Sequence, residues 1–282
     1  MIAICVAVAM LAANPAAAAA PFFKAGDPVA GHRGMTYLDL VKLAVPSLAP
    51  SAGDDAIYGR LKAMPRHLGG REYDGDGMPD PVTLGEIEAQ RIKIGGKRRI
   101  AVLADLGEVP GRVEGLALLM LITDEARPRL LDAANVGVDK DTVFAERGPL
   151  ALGPGDDALV TYSEHDDADL SMGGYVLIQT AGDRLRLIQI IPVTSVRMCS
   201  WENIEDAHFA ATPDPGRPYS KITVSVRAAF KRTHEDGCSD TPPKTHAQTF
   251  SASFDWNPAH RRFETASGEL KRLDAFNTFA FK

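Results

Sequence analysis

The chain has 282 residues, 45% hydrophobic and 24% charged, a composition that excludes a disordered or collagen-like polymer. Its 31 Lys and Arg against 37 Asp and Glu leave a formal charge of −6, which argues against a phosphate-backbone partner. The one short basic run, Lys97-Arg98-Arg99, reads as a solvated hairpin end, so no nucleic-acid partner is expected.

Residues 1–20, "MIAICVAVAMLAANPAAAAA", are an apolar run followed by an alanine tract. They read as a secretory signal peptide processed near Ala18 to Ala20. Pro15 interrupts the run and no Lys or Arg precedes Lys24, so cleavage is favoured over a membrane anchor. The expected location is exported, periplasmic or extracellular, with no integral membrane span after leader cleavage. Cys5 would leave with the leader. Cys199 and Cys238 then form an even pair in an oxidising compartment and are expected to be disulfide-bonded. Closing a loop of about 40 residues would stabilise the fold by roughly 4 kcal/mol in the chain-entropy model.

Residues 21–34 are rich in Pro and Gly without a period and read as an extended lead-in. In "MTYLDLVKLAVPSL" the apolar residues recur at helical spacing. Thr36 and Asp39 have capping-box spacing, and Pro46 ends the helix. A second short helix fits "DDAIYGRLKAM", stopped by Pro65. Residues 21–90 are thus expected to form an N-terminal segment with one or two short helices and an Asp/Gly loop. Beyond it the period changes. "EAQRIKI" and "KRRIAVLADLG" flank Gly95-Gly96, a hairpin signal. "EGLALLMLITD" fits a strand or a buried helix, which periodicity cannot separate in a short apolar run. Further runs of β-branched, aromatic and leucine residues follow, with tight connections expected at "TAGD" and "DWNPAHRRF". The fold class expected is mainly β (α+β overall), an antiparallel β sandwich or meander over residues 91–282 with a small α-containing N-terminal part.

The densest cluster of oxygen ligands is "REYDGDGMPDP", residues 71–81. Numbered from Glu72, an EF-hand-like loop would take ligands from Glu72, Asp74, Asp76, the Met78 carbonyl and Asp80, with Gly77 at the sharp turn. Position 12 is Thr83 where a bidentate carboxylate belongs, and Glu86 could replace it only if the chain curls back. Locally "DGDGMPD" resembles the calcium-binding aspartate loops of thrombospondin type-3 and dockerin repeats. That resemblance covers about ten residues, occurs once, and implies Ca²⁺ as a structural ion. Two Asp-Gly dipeptides and two prolines also build a plain surface turn without any ion.

"TYSEHDDADLSMGGY" places His165 just past an expected strand end, the first position to examine for a functional imidazole. Asp132 lies within an apolar run, where a carboxylate is either paired or facing solvent. Asp139 follows it in "LLDAANVGVDKDT". These three are the catalytic candidates, although neither a G-x-S-x-G elbow nor H-E-x-x-H accompanies them. Trp201, Trp256, Phe254 and Phe263 read as sheet packing. The functional expectation is a secreted binding or envelope-structural module without catalysis. Its alternatives are a secreted hydrolase using carboxylates with His165, and a membrane-tethered accessory protein.

Overall fold

Nine consecutive residues, Gly115–Thr123, are all buried, and the architecture is organised around them. A strand buried on both faces needs an apolar layer above and another below. The computed structural model describes residues 21–73, 77–146, 148–167, 170–233 and 247–280, and strands dominate it at 53% against 7% helix.

The N-terminal part contributes β1 (Phe22–Phe23), α1 (Tyr37–Val41), β2 (Ala49–Pro50), β3 (Ile57–Gly59) and β4 (Val82–Leu84). Next come β5 (Ile87–Ile94), β6 (Lys97–Glu108), β7 (Gly115–Thr123), β8 (Leu130–Asn135), β9 (Asp141–Phe144) and β10 (Leu150–Ala151). The long strands β11 (Asp157–Asp167), β12 (Leu170–Thr180), β13 (Leu185–Arg197), β14 (Trp201–Thr212), β15 (Lys221–Arg232) and β16 (Ala247–Asn257) lead to β17 (Arg262–Glu264) and α2 (Glu269–Ala280). All pairings between these strands are antiparallel. They make a five-stranded sheet β1-β5-β6-β7-β8, a three-stranded sheet β2-β3-β4, and a nine-stranded sheet running from β10 to β17 with β9 alongside β11.

Three apolar layers result. On one face of β6 and β7, Val102, Leu118 and Met120 pack with Leu40, Val41, Leu48 and Val82 of the N-terminal part. On the other face, Leu103, Leu119 and Leu121 pack with Phe144, Leu159 and Ile178 of the large sheet. The third layer lies within the large sheet itself. β13 and β14 pair only at Val196–Asn203 and Arg197–Glu202, so the sheet turns a corner there. Leu177 and Ile191 then meet Phe209, Val224, Phe250 and Leu273. Along most of its length β13 pairs with β12 alone. Pro192 is therefore tolerated in it, since only an edge strand can spare a ladder donor.

Local signals account for much of this. Asp39 N donates to Thr36 Oγ1 and Thr36 N donates to Asp39 Oδ2 at 2.8 Å, the expected capping box. Gly95 and Gly96 take positive φ (55° and 73°), as a two-residue hairpin requires. "TAGD" turns through Gly182 and Asp183, again with positive φ. "EGLALLMLITD" is β7, a strand rather than a helix. One expectation needs correction. "DDAIYGRLKAM" is not a helix: Ile57 and Tyr58 pair with Leu84 and Thr83, and a Cβ on Gly59 would come within 2.8 Å of Leu48 Cδ2. Helix α2 was not expected at all, although Glu269 N donates to Ser267 Oγ as an N-cap would have it. The expected boundary between residues 90 and 91 falls inside β5.

Candidate functional site

The chain crosses from the five-stranded to the nine-stranded sheet through residues 136–140, and nearly every polar group of this crossover is held. Asn135 Oδ1 accepts from Ala117 N (3.1 Å) and Gly137 N (3.0 Å). His67 Nδ1 accepts from Gly69 N, which leaves Nε2–H to donate to the Gly137 carbonyl at 2.7 Å. Val138 N donates to Ser163 Oγ, and Gly115 N donates to the Asp139 carbonyl.

Two of the three catalytic candidates meet at this crossover. His165 Nδ1 and Asp139 Oδ1 lie 2.5 Å apart, and Lys140 N donates to the same carboxylate oxygen at 2.8 Å. Both side chains are largely buried, 15% exposed for His165 and 9% for Asp139. When Nδ1–H donates to the carboxylate, Nε2 carries the lone pair, the tautomer a general base needs. A nucleophile is not supplied by the nearest hydroxyl. Ser163, two residues away on β11, is fully buried, with its Oγ 2.9 Å from Thr142 Oγ1 and engaged by Val138 N.

Asp132 goes elsewhere. It is buried and paired: Arg66 at 2.5 Å, Arg184 at 3.2 Å and Leu185 N at 2.8 Å bind its two oxygens. That arrangement ties β8 to the β12–β13 hairpin and leaves no lone pair in a cleft. Among the proposed calcium ligands, Asp74 and Asp76 lie outside the described residues. Met78 and Asp80 are exposed, and Asp80 pairs with Arg60 at 3.1 Å. Among the described residues no three His, Cys, Asp or Glu side chains gather to hold a metal.

Sequence reading missed a surface feature on the large sheet. Three shallow grooves of about 300, 410 and 380 Å³ adjoin one another, the first two sharing Arg217 and the last two sharing Glu264 and Thr265. The shared residues link them in series, a trough from Leu152–Pro154 past Trp256 to Leu187–Gln189. Each includes an aromatic residue, Tyr219, Trp256 and Phe263 in turn; Tyr219 meets Trp256 edge-on at 4.7 Å, and Trp256 meets Phe263 at 5.5 Å. Charged groups line them as well. Arg217 reaches Asp214 at 3.1 Å and Asp255 at 3.8 Å. Glu264 accepts from Arg262 (2.6 Å) and Asn257 (2.7 Å) and lies 2.8 Å from His260 Nδ1, contacts that draw its pKa down to about 2. Phe254 and Phe263 are buried as expected, and half-buried Trp256 packs against the same core while lining the second groove. The chain matches no protein-family model, no curated protein and no solved structure.

One further carboxylate enters the layer between the sheets. Glu88 is 2% exposed, its Oε2 accepts from Phe144 N at 3.2 Å, and burial pushes its pKa from 4.5 to about 7. A carboxyl with a raised folded-state pKa binds its proton more tightly in the native than in the unfolded chain. Its contribution is therefore full below about pH 4.5 and is lost as pH rises towards about 7. Stability measured by urea melts across that window should fall with pH in the wild type, and Glu88→Gln should make the fall shallower. An unchanged slope would place the titration elsewhere.

Proposed function

We propose that the protein is an exported binding module without catalysis, and that the trough through Arg217, Trp256 and Glu264 is its ligand surface. The observation that carries this reading is continuity. Three adjoining grooves each combine an aromatic residue with charged groups, which suits an extended ligand better than a compact one. Aromatic faces beside hydrogen-bonding carboxylates and a guanidinium match a chain of sugar rings, with apolar C–H faces and hydroxyl edges. A glycan strand of the cell envelope is the ligand class proposed.

Export is supported by the leader-like residues 1–20, which lie outside the described residues, and by the setting of Cys199. Cys199 sits in the turn after β13, and Thr233, just past β15, donates its hydroxyl to the Cys199 carbonyl. Thr233, the last described residue before the segment that holds Cys238, therefore lies beside Cys199; Cys238 itself lies outside the described residues. We place a disulfide between them and, on the spacing of Glu72, Asp74, Asp76, Met78 and Asp80, a weak calcium loop. The purified mature protein should then show no free thiol, and calcium should raise its melting midpoint unless Asp76→Ala is introduced.

A second reading, a hydrolase with His165 as general base and Asp139 orienting it, is favoured by their 2.5 Å contact alone. One experiment separates the two. Trp256 is one of only two tryptophans, so Trp201→Phe leaves it as the sole reporter. Titration with soluble envelope glycan fragments should change its fluorescence, and Arg217→Ala with Glu264→Ala should weaken binding about tenfold, or about 1.4 kcal/mol. No response, or undiminished affinity in the double variant, would contradict the binding reading. Fragment cleavage abolished by His165→Ala would replace it with the hydrolase.

A further inference from the structure

The corner between β13 and β14 contains three buried side chains, each with one oxygen that accepts no hydrogen bond from the described residues. Asn203 (1% exposed), Glu205 (7%) and Asn277 (8%) are joined by short contacts. Asn277 Nδ2 donates to Glu205 Oε2 at 3.0 Å, Thr194 N donates to the same oxygen at 2.9 Å, and Asn203 Nδ2 lies 3.5 Å from the Thr194 carbonyl. Yet Glu205 Oε1, Asn203 Oδ1 and Asn277 Oδ1 are all buried and accept no hydrogen bond from the described residues. Buried polar atoms left unserved are rare, and three in one bonded group call for a common cause.

Counting donors narrows the cause. A proton on Glu205 Oε1 would turn one acceptor into a donor and satisfy one amide oxygen, leaving the third unserved. A single water molecule donates two hydrogen bonds and also leaves one. A cation is attractive to all three at once. Among the described residues no Lys, Arg or His forms an ion pair with Glu205, so none of them balances its charge. Carboxylate and carboxamide oxygens are ligands for hard cations, and carboxamides escape any search confined to His, Cys, Asp and Glu.

We propose that Asn203, Glu205 and Asn277 bind a hard monovalent cation of the alkali class. One carboxylate and two neutral oxygens balance a single positive charge, whereas a divalent ion would leave a net charge among the buried Asn203, Glu205 and Asn277 side chains. The ion would fasten α2, which carries Asn277, to the sheet corner that carries Asn203 and Glu205. That is a structural role distinct from the calcium loop at residues 72–80 and independent of the trough.

The test is a set of thermal melts of the mature protein at mildly alkaline pH, in sodium, potassium or choline chloride at equal ionic strength. The bulky choline ion serves as the control that cannot enter. Binding to the native state alone should raise the midpoint by several degrees in sodium or potassium relative to choline. Glu205→Gln should erase that difference whatever its own midpoint, and Asn277→Ala should reduce it. Equal midpoints in the three salts for the wild type would overturn the proposal. So would a sodium or potassium response that survives Glu205→Gln, since the ion would then sit elsewhere.

Discussion

The burial of β7 on both faces is the constraint from which the rest of the molecule follows. A strand that contributes Leu118 and Met120 to one layer and Leu119 and Leu121 to the other cannot lie at a surface. It obliges the N-terminal part to cover one side and the first strands of the large sheet to cover the other. The five-stranded sheet is the middle layer, and its neighbours are needed as much for its stability as for their own.

Stacked sheets create a second requirement, because the chain must pass between them with its polar groups satisfied. The crossover at 136–140 meets it with Asn135, His67, Ser163 and the His165–Asp139 pair, each spending a donor or acceptor on the passing backbone or on one another. Asp132, Arg66 and Arg184 do the same near Leu185, and Arg99 with Asp183 holds the far hairpin at 2.9 Å. Residues that resemble catalytic groups by type are, in this setting, largely occupied with joining two sheets. The trough lies away from these junctions, around Arg217, Trp256 and Glu264 of the large sheet.

Legibility in the sequence followed the range of the interaction. The Thr36–Asp39 cap, the Gly95-Gly96 hairpin and the Gly182-Asp183 turn are each decided within a few residues, and each was readable. The strand at Ile57–Gly59 was misread because its pairing partner is Val82–Leu84, more than twenty residues downstream. Asp132 and Asp139 looked alike as isolated carboxylates. What separates them is Arg66 and Arg184 for one and His165 for the other, at distances along the chain that no local pattern reports. The trough was invisible for the same reason, since Arg217 and Tyr219 lie in a Pro-rich loop and Trp256 and Glu264 on later strands. The three orphan oxygens near Glu205 could be found only once α2 was placed.

If β7 is the element on which both flanking layers depend, its amides should exchange with solvent only when the whole molecule unfolds. Native-state hydrogen exchange across Gly115–Thr123 is the direct measurement. The expected result is that these amides are the slowest in the protein, with a denaturant dependence equal to that of global unfolding. Exchange at the rate of the exposed Gly95–Lys97 turn, or opening with the N-terminal part alone, would contradict the central place given to this strand.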